Sequence, residues 1–312
     1  MCLQKAKSKL EQELLASLKE IIAAPRLYIN EPMSRHTSFQ IGGPADFLVF
    51  PASVQEVSAV FTLVRELGVP VLALGNGSNV LVSDKGIRGV VVKFGDDFAG
   101  IRHLGKTVIA GAGASLTSVS RYAADCALTG MEFAVGIPGS IGGAVFMNAG
   151  AYDGEISKVI SAVTTVCPDG TVQRFNHADI RFDYRQSVFQ QNGCIICEVE
   201  LMLEQGSEKD ILAKMDEYTN SRETKQPLEM PSAGSTFKRP PGYYAGTLIE
   251  QTGLKGFSIG GAQVSNKHAG FVVNAGGATA ADVLALISEV QRRVFDKFGV
   301  RLQPEVRVIG EK

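Results

Sequence analysis

Residues 136–150 read Gly-Ile-Pro-Gly-Ser-Ile-Gly-Gly-Ala-Val-Phe-Met-Asn-Ala-Gly, a stretch with five glycines and no charged side chain. Glycine has no Cβ, so a backbone of this composition can pack closely against a large flat ligand. A tight crossing between a helix and a strand explains the stretch equally well when it is taken alone. The rest of the chain must therefore decide between the two interpretations.

A second glycine-rich stretch, Gly75-Asn76-Gly77-Ser78-Asn79, follows a predicted strand at residues 71–74. Consecutive backbone N–H groups in such a loop can form an anion nest, and its glycines let a phosphate approach. Taken alone, the loop is more simply interpreted as a plain turn. It is neither a P-loop nor a Rossmann fingerprint, because no Gly-Lys-Ser/Thr follows and residues 80–82 continue as a strand. Two glycine-rich stretches at α/β junctions favour a dinucleotide lying across them.

Helix and strand signals precede the longer glycine-rich stretch. Ser53 begins a predicted helix, with Glu56 in the capping-box position. Gly111 and Gly113 lie between a predicted strand and a helix capped by Ser115. Strands that alternate with helices in this way predict α/β folding units.

The part of the chain that contains the longer glycine-rich stretch is expected to be less regular. Residues 136–154 are expected to interrupt helix and strand structure. Two strands are predicted to follow, at residues 159–167 and 193–203. The turn Pro168-Asp169-Gly170 is predicted to lead the first of them into its hairpin partner.

The composition is that of a soluble globular protein. The 312 residues are enough for two or three lobes. Lysine plus arginine number 31 against 32 acids, so no global field attracts nucleic acid or an acidic membrane. Residues 5–22 have helical spacing without the apolar core of a signal peptide, and no run reaches the ~18 apolar residues of a membrane span. We therefore expect a cytoplasmic protein without nucleic-acid or membrane partners.

Cys194 and Cys197 form a C-x-x-C within a predicted strand. Positions i and i+3 of a strand point to opposite faces, so this pair cannot hold one metal ion, and there is no second pair. Five cysteines in a chain of this length do not make a disulfide framework. We predict buried structural cysteines and no metal site.

Six motifs occur in order over about residues 35–310, and together they resemble the UDP-N-acetylenolpyruvoylglucosamine reductases. The resemblance implies an α+β fold with two α/β FAD-binding subdomains of the vanillyl-alcohol-oxidase (PCMH) type and a smaller α+β substrate-binding domain. The motifs are Leu74-Gly-Asn-Gly-Ser-Asn-Val-Leu81, residues 136–154, Asp183-Tyr-Arg-Gln-Ser187, Ala233-Gly-Ser-Thr-Phe-Lys238, Gly253-Leu-Lys-Gly256 and Leu302-Gln-Pro-Glu-Val-Arg307.

The resemblance also predicts domain boundaries. Arg185 and Ser235 are 50 positions apart, which resembles the shorter subtype of the family, without the inserted tyrosine loop of the longer one. The predicted segments are an N-terminal helix at 1–22, FAD-binding subdomains at 23–97 and 98–206 (the PCMH-type domain at about 41–206), a substrate-binding domain at 207–301 and a C-terminal strand at 302–312.

The family reaction passes hydride from NADPH through non-covalently bound FAD to an enolpyruvyl double bond. The resemblance implies that Arg185 polarises the substrate carboxylate, that Ser235 gives a proton to the enolate carbon, and that Glu305 shares a proton at the same carboxylate. Such charge stabilisation and proton donation are what this reduction requires. The implied substrate is a nucleotide sugar. Oligomeric state is left open.

The remaining implied site residues form two sets. The FAD pyrophosphate is expected at residues 75–79 and the isoalloxazine near residues 136–150. The cofactor set is Gly75, Asn76, Gly77, Ser78, Asn79, Gly111, Gly113, Ile137, Pro138, Gly139, Ser140, Gly142, Gly143, Asn148 and Gly150. The substrate set is Tyr184, Lys225, Lys255, His268 and Arg307, where the histidine replaces a glutamine common in the longer subtype.

Two alternatives remain. One is another flavin oxidoreductase of the same fold, such as a sugar or alcohol oxidase. Those enzymes often tether FAD through histidine or cysteine, and neither residue stands in the glycine-rich stretches. The other is a nucleotide-sugar binding protein without catalysis, which the presence of all three catalytic residue types disfavours.

Overall fold

The computed structural model describes residues 2–312, with side chains from Lys9 onward. No helix in that part of the chain is long and apolar enough to span a membrane. The helices are α1 (Cys2–Ile21), α2 (Val54–Glu66), α3 (Leu116–Asp125), α4 (Ile141–Met147), α5 (His177–Ile180), α6 (Glu208–Lys225), α7 (Ala245–Gln251) and α8 (Ala280–Phe298).

The strands form several small sheets. They are β1 (Leu27–Pro32), β2 (Pro44–Val49), β3 (Val71–Leu74), β4 (Val80–Val82), β5 (Ile87–Lys93), β6 (Ile101–Leu104), β7 (Thr107–Gly111), β8 (Leu128–Thr129), β9 (Gly150–Ala151), β10 (Gly154–Glu155), β11 (Ile160–Val166), β12 (Val172–Asn176), β13 (Ile195–Met202), β14 (Glu204–Gln205), β15 (Ser232–Ser235), β16 (Ser258–Ile259), β17 (Ala262–Val264), β18 (Phe271–Asn274) and β19 (Arg307–Ile309).

The chain divides into two compact units. Unit 1 comprises the residues up to Ile29, Phe47–Asn76 and Gly89–Thr219. Unit 2 comprises Asn30–Asp46, Gly77–Arg88 and Asn220–Lys312. The domain boundaries expected from the sequence remain predictions.

Unit 1 contains a five-stranded antiparallel sheet with the order β12-β11-β13-β7-β6. Strands β3 and β5 pair in parallel, in register from Val71↔Val90 to Leu74↔Lys93. Apolar side chains at helical spacing on α2 are fully buried in the core of this unit, because they form one stripe of the helix. These are Val57, Val60, Phe61 and Val64.

The capping box predicted at Ser53 is only half right. The Ser53 hydroxyl accepts the Glu56 N–H at 3.2 Å, as predicted. The Glu56 carboxylate, however, accepts the Ala52 N–H at 2.7 Å and pairs with both terminal nitrogens of the Arg26 guanidinium. A bidentate charged pair is stronger than a single bond to a neutral N–H, so the carboxylate turns toward Arg26.

Two other expectations for unit 1 need correction. Residues 136–154 do not wholly interrupt regular structure, because they contain α4, which Ser140 caps by accepting the Gly143 N–H. The turn at residues 168–170 leads into β12, a strand that the sequence did not predict. The predicted strand at 193–203 pairs with β11 on its other side, as β13.

Unit 2 contains the antiparallel sheet β15-β18-β17-β16 and the parallel pair β4 and β19. Helix α8 begins at a full capping box between Thr279 and Asp282 and ends at Gly299, which has a φ of 68°. Glycine adopts this left-handed conformation without a Cβ penalty. The apolar stripe of the helix, including Val283, Ile287 and Val290, is buried in the core of unit 2.

Candidate active site

Three glycine-containing loops of unit 1 meet at one place. A Cβ on Gly75 would overlap the Ser140 hydroxyl, and a Cβ on Gly142 would lie 2.8 Å from the Ala112 Cβ. In each case a side chain of a neighbouring loop lies where a Cβ would stand, so glycine permits the close approach. The end of β3, the turn after β7 and the start of α4 therefore contact one another, and a dinucleotide lying across the two glycine-rich stretches stays a prediction.

Backbone hydrogen bonds hold the second and third of these loops together. The Leu116 N–H donates to the Gly139 carbonyl at 2.9 Å, and the Gly142 N–H donates to the Ala112 carbonyl at 3.0 Å. The N–H groups of Gly111 and Gly113 also donate within unit 1. A ligand can therefore approach the backbone of these glycines closely, but their N–H groups already have carbonyl acceptors within unit 1.

The remaining cofactor residues of this stretch lie around the same loops. The Ile137 N–H donates to the Ala134 carbonyl, and Pro138 is exposed. Gly143 is in the first turn of α4, and Gly150 pairs with Glu155 across β9 and β10. A Cβ on Gly150 would lie 2.6 Å from the Gly154 carbonyl oxygen, so glycine is needed for the tight hairpin.

The loop at residues 75–79 differs from these glycines in its backbone N–H groups. Among the residues that the structure describes, none accepts a hydrogen bond from its five consecutive backbone N–H groups. Such a run of N–H groups suits the oxygens of a pyrophosphate. The donor chemistry of the loop therefore fits FAD.

Gly77 has a more specific reason to be glycine than space for a phosphate. Its φ is 65°, and an added Cβ would overlap the His36 carbonyl oxygen and lie 2.9 Å from the Thr37 Cα. The Ser38 N–H in turn donates to the Gly77 carbonyl at 3.2 Å. Residues 36–38 thus support the loop, a role that the sequence analysis missed.

Asn148 is buried and has partners for both ends of its amide. Its Nδ2 donates to the Asp183 carbonyl at 3.1 Å, and its Oδ1 accepts the Ser157 N–H at 3.0 Å. It ends α4 with a φ of 44°, a conformation that asparagine tolerates better than most residues. Asn148 therefore shapes the site by joining α4 to the turn at residues 183–186.

Arg185 lies in that turn with a φ of 57°, between Asp183 and Gln186, which exchange backbone hydrogen bonds. Its guanidinium donates to the Asn148 carbonyl at 3.5 Å and the Gly150 carbonyl at 3.4 Å. The ring of Tyr184, which is nearly half exposed, lies 5.1 Å from the guanidinium carbon. The two carbonyls and the Tyr184 ring therefore help to fix the position of the guanidinium.

Ser235 ends β15 and is exposed. The register between β15 and β18 slips between Ser232 and Ser235, and Gly234 has a φ of 73° within this irregularity. A bulge of this kind re-aims the following side chain. Gly234 therefore lets the strand bulge just before Ser235, which still pairs with Phe271 of β18.

Thr236 links Ser235 to Glu305 within unit 2. Its carbonyl accepts the Glu305 N–H at 2.8 Å, and its hydroxyl accepts the Val272 N–H at 2.9 Å. The Asn79 carbonyl accepts the Arg307 N–H at 3.0 Å. The structure thus brings Ser235, Glu305 and Arg307 onto adjoining segments, whereas Arg185 belongs to unit 1.

The four predicted substrate residues of unit 2 differ in their surroundings. Lys225 is exposed at the end of α6, and Lys255 pairs with Glu250 at 2.7 Å. Burial lowers the pKa of the Arg307 guanidinium from its ordinary value. Burial also lowers the pKa of the His268 imidazole, whose Nδ1 accepts the Gly270 N–H at 3.1 Å. The His268 ring is therefore neutral at pH 7 with its proton on Nε2.

The predicted burial of the C-x-x-C cysteines is confirmed, with Cys194 9% and Cys197 1% exposed. Burial raises the pKa of the Cys197 thiol to about 12, so it stays protonated at neutral pH. In the part of the chain that the structure describes, no group of three His, Cys, Asp or Glu side chains could hold a metal ion.

Two family models match the chain. An FAD binding domain matches residues 45–176, and the C-terminal domain of UDP-N-acetylenolpyruvoylglucosamine reductase matches residues 226–309. The glycine-rich loops lie in the first match or adjoin it, and Ser235 and Glu305 lie in the second.

Similar proteins agree with these matches over almost the whole chain. The UDP-N-acetylenolpyruvoylglucosamine reductase of Lachnoclostridium phytofermentans is 49% identical over 303 residues, covering 96% of this chain and 98% of that protein. The one from Caldanaerobacter subterraneus is 50% identical, covering 96% and 99%. The crystal structure of the Thermus caldophilus reductase is 36% identical with a TM-score of 0.77, covering 89% of this chain and 97% of that one.

These similarities confirm the α+β FAD-binding fold and FAD as the cofactor, and NADPH fits as the hydride donor of such a reductase. The chain is an FAD-dependent oxidoreductase that belongs to the UDP-N-acetylenolpyruvoylglucosamine reductase family.

Proposed function

We propose that the protein reduces UDP-N-acetylglucosamine enolpyruvate to UDP-N-acetylmuramate in peptidoglycan precursor synthesis, with NADPH as the reductant. The observation that supports the proposal is the hydrogen bond from the Glu305 N–H to the Thr236 carbonyl, which joins the segment of Glu305 to the segment of the exposed Ser235. Bound FAD, cradled by the backbone N–H groups of residues 75–79, supplies hydride transfer. The residues of the chain supply substrate binding, charge stabilisation and a proton.

Arg185 binds the carboxylate of the enolpyruvyl group. Reduction of the double bond develops negative charge on that carboxylate, and a fixed guanidinium stabilises it. The left-handed turn and the carbonyls of Asn148 and Gly150 fix the position of the cation before the substrate arrives. Little reorganisation is then needed as the charge develops.

Ser235 donates the proton to the adjoining carbon. A serine hydroxyl is a weak acid, but a carbanionic enolate is basic enough to take its proton when the geometry is enforced. Glu305 acts at the same carboxylate and shares a proton there, because two bare carboxylates would repel each other. The bulge at Gly234 and the Thr236–Glu305 hydrogen bond support this assignment, because they fix the backbone segments that carry the two residues.

The nucleotide diphosphate and sugar bind to the basic and aromatic residues of the substrate set. Lys225 and Arg307 carry charge complementary to a diphosphate. Lys255 can bind it only by leaving or sharing its ion pair with Glu250. The neutral His268 offers its Nε2–H as a donor, because its Nδ1 is occupied within its own turn. Tyr184 covers the substrate or flavin with its exposed ring.

Ser235→Ala separates the two half-reactions. Flavin reduction by NADPH should remain nearly unchanged, because this step needs no proton from the serine. Flavin reoxidation by the enolpyruvyl substrate should slow by ~10²- to 10⁴-fold, the usual effect of losing a general acid. Stopped-flow absorbance of the flavin measures both steps. Ser235→Cys should recover part of the rate, since a thiol can still donate.

Ser232→Ala is the matched control, because it makes the same change in the same strand. It should leave both steps at the wild-type rate. Equal slowing of both steps by Ser235→Ala would show that the serine only shapes the pocket. Flavin that NADPH reduces but the enolpyruvyl substrate never reoxidises, even in the wild type, would refute the proposed reaction.

A further inference from the structure

Cys167 and Cys194 lie opposite each other at one end of the five-stranded sheet of unit 1. Antiparallel pairing of β11 with β13 ends at Val166↔Ile195, so the next residue on each side is a cysteine. Their sulfur atoms are 2.6 Å apart. No other two of the cysteines with described side chains are recorded in contact.

The backbone geometry at this pair suits a bond between the sulfurs. The Cys167 N–H donates to the Thr171 carbonyl, and the Cys167 carbonyl accepts the Gly170 N–H, both within the turn toward β12. The Cys194 N–H donates to the Asn192 side chain. Neither cysteine N–H bonds across to the other strand, so the two residues face each other just beyond the last paired position, Val166↔Ile195. A sulfur–sulfur separation of 2.6 Å leaves only a short movement to the bond length of about 2.05 Å in a disulfide.

The surroundings hold this geometry in place without the help of a sulfur–sulfur bond. The turn that follows Cys167 is fixed to α2, because the Ser58 hydroxyl and the Arg65 guanidinium donate to the Gly170 and Asp169 carbonyls. On the other side, β13 is paired along its length with β7 and β11. Bond formation would thus require little backbone movement.

We propose that Cys167 and Cys194 form a reversible two-electron redox site that closes to a disulfide when a peroxide oxidises it. The Cys167 thiolate attacks the peroxide, breaks its O–O bond and becomes a sulfenic acid, with water as the product from hydrogen peroxide. The Cys194 sulfur then displaces a second water from the Cys167 sulfur. Two thiols and one peroxide yield one disulfide and two waters, and a dithiol reductant reverses the change.

The surroundings of the two cysteines indicate which of them reacts with the peroxide first. Burial and the neighbouring Cys167 thiol raise the pKa of the Cys194 thiol to about 12, so Cys194 stays protonated until its partner has been oxidised. Each buried cysteine has an exposed neighbour in the chain. Pro168 follows Cys167, and Gly193 precedes Cys194. A molecule as small as hydrogen peroxide can reach the sulfurs along this edge.

The disulfide would join the two ends of the segment that runs from Cys167 to Cys194 in unit 1. The 26 residues between the two cysteines include β12, α5 and the turn at residues 183–186 that holds Arg185. Closing a loop of this length restricts the unfolded chain. Oxidation is therefore expected to raise the melting temperature of the protein.

Peptide mapping of the FAD-loaded protein after mild hydrogen peroxide treatment tests the proposal. The intact protein should lose the mass of two hydrogen atoms, and dithiothreitol should restore it. Trypsin without reductant should release residues 159–174 linked to residues 186–209, because cleavage follows Lys158, Arg174, Arg185 and Lys209. The mass loss should disappear in Cys167→Ser and Cys194→Ser.

Cys126→Ser and Cys197→Ser are the matched controls. Both should keep the mass loss, and the second also identifies the partner, because Cys194 and Cys197 share a tryptic peptide. A link that survives in Cys194→Ser, or oxygen added to Cys167 without any link, would overturn the proposal. If a single-serine variant fails to fold, the linked peptides of Cys197→Ser and of the wild type decide the matter.

Discussion

Replacing Asn148 with alanine tests whether this residue supports the site or contacts the cofactor. The change removes both hydrogen bonds of a buried amide and leaves the Asp183 carbonyl and the Ser157 N–H without their partner. Each unsatisfied buried group costs about 1–3 kcal/mol. Alanine must also adopt a φ of 44°, which adds about 1–2 kcal/mol. Because Asp183 is exposed and Ser157 is half-buried, water can replace part of the lost bonds, so we expect the free energy of unfolding to fall by about 3 kcal/mol, the low end of the sum of these contributions.

Two further variants separate these contributions. Asn148→Gly loses the same hydrogen bonds but tolerates the left-handed backbone, so it should cost about 1 kcal/mol less than alanine. Asn30→Ala is the control for the backbone alone, because Asn30 is exposed and has a φ of 51°. It should cost only about 1 kcal/mol. Urea unfolding followed by circular dichroism gives each value.

Loss of the Asn148 hydrogen bonds should also affect the reaction with substrate. Without the Asn148 amide, the turn at residues 183–186 loses one of its links to α4, and the position of Arg185 becomes less defined. Reoxidation of the flavin by substrate should then slow more than reduction by NADPH does. An unchanged free energy of unfolding combined with lost flavin would refute this reasoning and make Asn148 a direct cofactor contact.

Two other predictions concern the FAD loop and a charged pair. Gly77→Val should lower the ratio of flavin to protein, because the valine side chain would displace His36 and Thr37 and distort the loop. The control is Gly105→Val, which should leave this ratio unchanged, because Gly105 has a φ of 57° and open space around it. Glu56→Gln should cost about 1 kcal/mol at pH 7, since Arg26 hydrogen bonds hold the pKa of Glu56 below its ordinary value. This stability is present above the ordinary carboxyl pKa and is lost as the pH falls through the lowered one, so in urea unfolding from pH 7 to pH 3 the two proteins should converge. Normal flavin content in the first variant, or a constant difference with pH in the second, would contradict these arguments.

Local signals in the sequence specify a helix well where contacts between residues close in sequence decide how the helix begins and packs. The capping box at Thr279 and Asp282 and the buried stripe of α8 follow directly from the spacing of their residues in the sequence. Both depend on contacts within one or two helical turns, which sequence spacing specifies directly. The Ser53 hydroxyl cap is confirmed for the same reason.

Predictions failed where a partner distant in sequence competed with the local one. Glu56 left the expected capping position for Arg26, which is 30 residues away. Helix α4 was missed because the propensity of its glycines opposes a helix, whereas packing of Gly142 against Ala112 requires them there. Strand β12 was missed because only its pairing with β11 distinguishes its polar, exposed sequence from a loop.

The sequence by itself determined the family, the cofactor and the residue types of the site, because its six motifs are short runs whose chemistry depends on neighbouring residues. Only the tertiary structure decided how the Thr236 carbonyl joins the segments of Ser235 and Glu305, which residues support the loop at residues 75–79, and why Asn148 and Gly77 are required. It also placed Cys167 opposite Cys194, although they are 27 positions apart. Each of these depends on backbone segments meeting across long separations, and a contact between distant residues leaves no pattern in a single sequence.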